Sequence, residues 1–160
     1  KKDSIMAGIN KVSHGDDEVY EAMTAAIQGG NLVVPAAGAT NPGIQGAAVA
    51  GDAAINVIGV AAREALPVSL QTTTGTDGDG YPYVAPNQVN ELFTVYSHAV
   101  VPVVYTAAAV AFGAALCTAA GGKVRAWVSG TDRADTIVGF CRVVGGMSSA
   151  GGVGLMKVER

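Results

Sequence analysis

The sequence predicts a mainly β protein: a small barrel- or sandwich-like domain built from two similar β units, with little helix. Three observations predict it. One phrase is written twice, DAAINVIGVAAREA at 52–65 and DRADTIVGFCRVVG at 132–145, pairing Asp52 with Asp132, Ala54 with Ala134 and Gly59 with Gly139. Upstream, AAIQGGNLVVPAAG (25–38) faces AAVAFGAALCTAAG (108–121), so the blocks recur in the same order. The repeated cores, INVIGVAA and TIVGFCRVV, are short, rich in β-branched residues and bounded by Gly, Asp and Thr, which is the pattern of strands. Each core also carries a glycine in its middle. A mid-strand glycine marks a bulge, a sharp bend or a close backbone approach, and small barrels need such places to close.

Taken in order, residues 1–18 (KKDSIMAGINKVSHGDDE) are polar and mixed in charge, the composition of an arm that stays poorly ordered unless something holds it. DDEVYEAMTAAIQGG is ambiguous. Val19, Met23, Ala26 and Ile27 share a helical face, Asp16 or Asp17 would cap it and Gly29-Gly30 would stop it. Its partner in the second half, VVPVVYTAAA, is β-branched and contains a proline, so the repeat favours a strand in both places. The two repeated cores are apolar on both faces, as in a closed barrel or a sheet covered on both sides. Between the matched blocks the first half carries three more residues than the second. QTTTGTDGDGYPYVAPNQ (71–88) joins the halves and predicts no regular element. KVRAWV (123–128) alternates like a half-exposed strand, and VGLMKV (153–158) completes the sheet after the glycine-rich GGMSSAGG. The expected organisation is one domain over 1–160. It comprises an arm (1–18), a first β unit (19–66), a connecting loop (71–88) and a second β unit (100–158), the units related by an approximate two-fold.

Composition excludes several function classes. The 160 residues include 28 Ala and 22 Gly, and only 14% are charged, which is too apolar for a disordered chain. Ten scattered Lys and Arg and a net charge of −3 do not make a nucleic-acid-binding surface. Residues 99–120 carry no charge over 22 positions, but Pro102, the high alanine content and the polar Glu21, Gln28 and Asn31 of the counterpart segment argue against a membrane span. The N-terminal KKDSIMAGIN lacks an apolar run of signal-peptide length, so synthesis and use without secretion are expected. Cys117 and Cys141 are too few for a zinc site or disulfide framework and are expected to be reduced and buried.

Catalytic and cofactor motifs fail on spacing. A calcium loop beginning at Asp77 would need glycine where Pro82 stands and glutamate where Gln88 stands. A phosphate loop ending in GGK would need glycine at Cys117 and a hydroxyl residue at Val124. GGMSSAGGVG lacks the strand-then-helix context of a dinucleotide fold. His14 lies in a polar arm. His98 has only its neighbour Ser97, and adjacent residues on a strand point to opposite faces. No enzyme, cofactor or metal site is expected.

The order of AAIQGGNLVVPA, a Gly/Pro loop, a G-D phrase and VIGVAAREA resembles the capsid decoration, or cement, proteins of tailed phages, over roughly 18–66. AVAFGAALCTAAGGKV and TIVGFCRVVGG resemble a second copy of the same pattern, over 100–158. The resemblance implies a small β-barrel-like protein on the capsid exterior, made in the host cytoplasm. It implies a homo-oligomer, often a trimer, bound to the major capsid protein where capsid subunits meet. It carries over no catalytic residues. The long 71–88 connection and the two cysteines depart from the pattern. Candidate capsid or protomer contacts are Ile5, Met6, Ile9 and Val12 of the arm and Tyr81 and Tyr83 of the connection. Two rival readings stand beside it: a tail or head-fibre part, and a carbohydrate-binding β module using Trp127, Tyr81 and Tyr83.

Overall fold

The computed structural model describes residues 16–23, 26–63, 65, 74–76, 82–84, 92–107 and 109–159. Five strands of the first half form a closed barrel: β1 (Asp16–Ala22), β2 (Leu32–Ala36), β3 (Gln45–Val49), β4 (Gly59–Ala61) and β7 (Leu92–Ser97), in the order β1-β3-β2-β4-β7. Two short strands, β5 (Thr74–Thr76) and β6 (Pro82–Val84), pair as a separate ribbon. The second half forms a five-stranded sheet from β8 (Val100–Val104), β9 (Ala115–Ala119), β10 (Lys123–Ala126), β11 (Ile137–Cys141) and β12 (Val153–Val158), in the order β10-β9-β11-β12-β8. A three-residue 3-10 helix, Ala134–Thr136, leads into β11. The mainly β expectation holds. No helix among the described residues is long and apolar enough to cross a membrane.

The repeat extends to individual hydrogen bonds. The Gly30 N–H donates to the Ala61 carbonyl at 2.9 Å, and the matching Gly113 N–H donates to Cys141 at 2.8 Å. Ala61 N–H reaches Asn31 and Cys141 N–H reaches Ala114, again at matched positions. An antiparallel bridge joins Ile27 to Ala65 in one half and Val110 to Met147 in the other. The first barrel closes where β1 runs parallel to β3, through Ala22 opposite Ala47. In the second unit an isolated parallel bridge of Tyr105 with Val124 lies at the corresponding point, between the two ends of the sheet. The strand order β3-β2-β4-β7-β1 is therefore repeated as β10-β9-β11-β12-β8.

Several local readings change. Over Asp16–Ala22 the helical pattern yields to strand β1, because residues 16–21 pair with β7 and residues 20–22 with β3. Ladder bonds and burial of Tyr20 and Ala22 outweigh a helix propensity of a few tenths of a kcal/mol per residue, roughly. β1 also begins at Asp16, inside the segment read as the arm. The 71–88 connection contains β5 and β6, which pair Thr74 with Val84 despite their turn-rich surroundings. β7 (LFTVYS) belongs to the first barrel although it lies outside the repeated phrases. The length difference is two opposite changes. Nine residues (37–45) separate Ala36 from Gly46 where three (120–122) separate Ala119 from Lys123, and the following connection is shorter in the first half.

The repeated glycine answers to close approach. A Cβ on Gly59 would overlap the Tyr96 carbonyl oxygen of the adjacent strand, and one on Gly139 would overlap that of Lys157. The register shifts between Ile137 and Gly139, marking a bulge. Both glycines thus sit at the same place, where the neighbouring backbone crosses the strand too closely for any side chain.

Two cores result. One fills the first barrel with Val33, Ala47, Ala61, Phe93 and Val95. The other joins Val101, Leu116, Val138 and Met156 of the second unit to Leu32, Ala50, Val57 and Val60 of the first. Adjacent residues Leu32 and Val33 therefore face different cores, as do Val60 and Ala61. β2 and β4 are apolar on both faces because one face lines the barrel and the other meets the second unit. Each fully buried Val or Leu contributes roughly 1.5–3 kcal/mol.

Candidate functional site

The polar groups gather at the junction of the two units. Arg125 on β10 donates two bonds to Asp132, at 2.7 and 2.8 Å, and a 3.0 Å bond from Nε to Asp52. Asp52 and Asp132 are the aspartates that open the two repeated phrases, so one guanidinium holds both copies. The paired planar geometry with Asp132 is the strong form of an arginine–carboxylate contact. Asp132 is 5% exposed and Asp52 59% exposed, so the first pair anchors and the second tethers. The Arg125 guanidinium and the Val128 N–H hold the Asp132 carboxyl down at about 2. Beside this cluster, Ala53 and Ala54 N–H groups donate to the carbonyl and hydroxyl of buried Thr118.

A turn of the second unit closes the junction. Gly122 N–H donates to Ala50 and its carbonyl accepts from Leu32 N–H, at 3.0 and 2.8 Å. Asn31 donates from Nδ2 to the Gly121 carbonyl. A Cβ on Gly122 would meet Asn31, Leu32 and Val49 at 2.9–3.0 Å, so only glycine fits.

A second buried charge sits in the first barrel. Glu21 accepts bonds from the Thr40 N–H and hydroxyl and from the Asn41 N–H and side-chain amide, all at 2.8–2.9 Å. The Asn41 backbone N–H contributes most to holding its carboxyl near 2, and burial opposes it. The extra residues of the β2–β3 turn therefore serve Glu21, whose place in the second unit is taken by Val104. Both carboxyls titrate lower in the folded chain than the unfolded values of about 4. Their stabilisation is complete above those unfolded values and disappears as pH falls through the folded ones. The thermal midpoint should stay level from pH 7 to about 5 and fall between about pH 4 and 2. A Glu21→Gln chain should show a shallower fall; a midpoint unchanged from pH 5 to 2 would contradict the assignment.

The cysteines are free and buried, as the sequence suggested. Burial pushes the Cys117 thiol up to about 11. His98 is exposed, with φ 48°, in the turn between β7 and β8. Trp127 is half-buried and its Nε1 donates to the Arg133 carbonyl at 3.0 Å, which engages the polar edge that a sugar-binding indole would present. Among the expected contacts, Ile5, Met6, Ile9, Val12 and Tyr81 lie outside the described residues. Tyr83 lies on β6. Sequence reasoning missed the Asp52–Arg125–Asp132 cluster. Its signal was present in the matched aspartates, but nothing local tied them to Arg125. The arrangement is an internal fastening: each carboxylate faces the arginine, and the buried glutamate is enclosed by four donors.

No protein family matches the sequence, and no curated protein matches it. Among solved structures, the chain is similar to the N base of head fibre protein gp8.5 of bacteriophage phi29, with a TM-score of 0.50 and 16% identity. The match covers 91% of this chain and 95% of that one, so it reaches both β units, and at this identity the likeness is one of fold.

Proposed function

We propose that the chain is a structural part of a bacteriophage virion, attached to the outside of the head where subunits of the major capsid protein meet, with a structural rather than catalytic role. The observation that carries the reading is the fold shared with a head-fibre base over 91% of the chain. The decoration-protein pattern of the repeated phrases points to the same surface. A head-fibre base is the second reading, favoured by the same likeness. The two differ in whether the chain carries a further appendage outward or caps the capsid by itself. Neither calls for a cofactor or nucleic acid. A body whose buried carboxylates, Glu21 and Asp132, are each matched by internal donors suits a protein that binds many identical sites without chemistry.

The test is co-sedimentation of the purified chain with heads of the phage that encodes it. Saturable binding at a fixed number of copies per head is expected. A chain that stays in the supernatant at tens of micromolar overturns the reading. Electron microscopy of the loaded heads separates a cap from a protruding fibre base. A chain lacking residues 1–15 should keep the thermal midpoint of the intact protein and bind heads about tenfold more weakly, since an arm that orders on binding adds contacts there. Equal binding would assign the arm no part in attachment.

A further inference from the structure

The two units touch in a way that is not reciprocal. A two-fold would repeat every contact with the units exchanged. A Cβ on Gly30 of the first unit would meet the Pro102 carbonyl of the second at 3.2 Å, whereas one on its counterpart Gly113 would have nothing within 4 Å. Gly122 of the second unit lies between Leu32 and Ala50 of the first. The corresponding first-unit turn, 37–44, is bonded to Glu21 of its own barrel, with Pro42 and Gly43 exposed. The expected two-fold therefore gives way to a head-to-tail relation: the turn side of one unit covers the β2/β4 face of the other.

A head-to-tail pair leaves one covered face and one uncovered face. On the first unit Leu32, Val57 and Val60 are buried by the second. The matching residues of the second unit, Ala115, Ile137 and Phe140, are apolar and only half-buried. The backbone is prepared in the same way. In the first unit Ala50 N–H donates to Leu32, and Gly122 fills the place of the return bond; in the second, Trp127 N–H donates to Ala115 at the matching positions. The side chains around the second place are smaller. Asn31, Leu32 and Val49 close on Gly122, while their counterparts are Ala114, Ala115 and Ala126. The second socket thus has room for a residue larger than glycine, and the residue matching Gly122 in the first-unit turn is Ala39.

We infer that the β9/β11 face of the second unit, around Ala115, Trp127 and Phe140, is a binding face for the 37–44 turn of a second copy of this chain. The contact continues between chains the relation that the two units have within one. Heterologous contacts of this kind close into rings or run on as open chains. The inference does not depend on attachment to heads, because association is measured on the purified protein alone.

Sedimentation velocity of the intact chain from about 1 to 100 µM, the range of modest protein–protein affinities, should show species at multiples of 16.0 kDa. Phe140→Arg on one face and Ala37→Arg on the other should each weaken association at least tenfold. Val153→Arg, on an exposed residue at the start of β12 and on neither face, should leave it unchanged. Far-UV spectra and thermal midpoints identify a variant that fails to fold. Should Phe140→Arg be such a variant, Ala37→Arg, at an exposed turn residue, decides alone. An intact chain that remains at 16.0 kDa throughout overturns the inference. So does one that associates as tightly with Ala37→Arg as without it.

Discussion

Replacing Gly139 with alanine lowers the thermal midpoint by about 10 °C, and replacing Gly59 does the same or more. The added methyl at position 139 meets the Lys157 carbonyl, which is backbone in β12 and cannot rotate aside. At position 59 it meets the Tyr96 carbonyl and the Val95 side chain, and φ of 153° adds a conformation that side-chain-bearing residues avoid. Overpacking against backbone costs about 3 kcal/mol, and each kcal/mol shifts a domain of this size by about 2–4 °C. Gly51→Ala is the control. Nothing lies within 4 Å of its added carbon, and the change should fall within about 0.5 kcal/mol of the parent. Thermal unfolding of the three chains decides the matter. A Gly139→Ala midpoint equal to that of Gly51→Ala would mean that the repeated glycine is an accident of composition.

Arg125→Met has the next largest expected effect, a midpoint lower by about 5 °C. Methionine fills much of the same volume but leaves Asp132, nearly enclosed, with only the Val128 N–H and the long Cys117 thiol contact of its four donors. It also releases Asp52, the exposed member, from the second unit. The loss should be unequal across the cluster. Asp52→Asn should move the midpoint by no more than about 2 °C, because an exposed ion pair contributes little. Amide exchange gives a sharper readout. The N–H groups of Ala53 and Ala54, bonded to Thr118, should exchange faster in the Arg125 variant, while Val33 and Val95 in the first barrel keep their protection. Uniform acceleration over the whole chain would show that the cluster supports global stability and has no special part in joining the units.

The sequence by itself determined the class and the duplication. Short β-branched segments punctuated by glycine do not pack as helices, and the matched phrases return as matched strands, down to the Gly30–Ala61 and Gly113–Cys141 hydrogen bonds. The meaning of the central glycine was also legible, since only a crowded backbone favours glycine in an otherwise β-branched run. The burial of both cysteines followed from the tendency of a free cysteine to pack as a small hydrophobe. Other features were decided by tertiary structure alone. β1 carries a helical period, and the ladders it makes with β7 and β3 override that period. Arg125 looks like one exposed residue of an alternating strand until the fold brings Asp52 to it from 73 positions away. Glu21 reads as a surface charge until the lengthened turn places Thr40 and Asn41 around it. Similarity between two halves does not state how they meet. That depends on which side chains are small enough to let a turn enter, and Gly122 against Leu32 and Ala50 makes the junction one-directional.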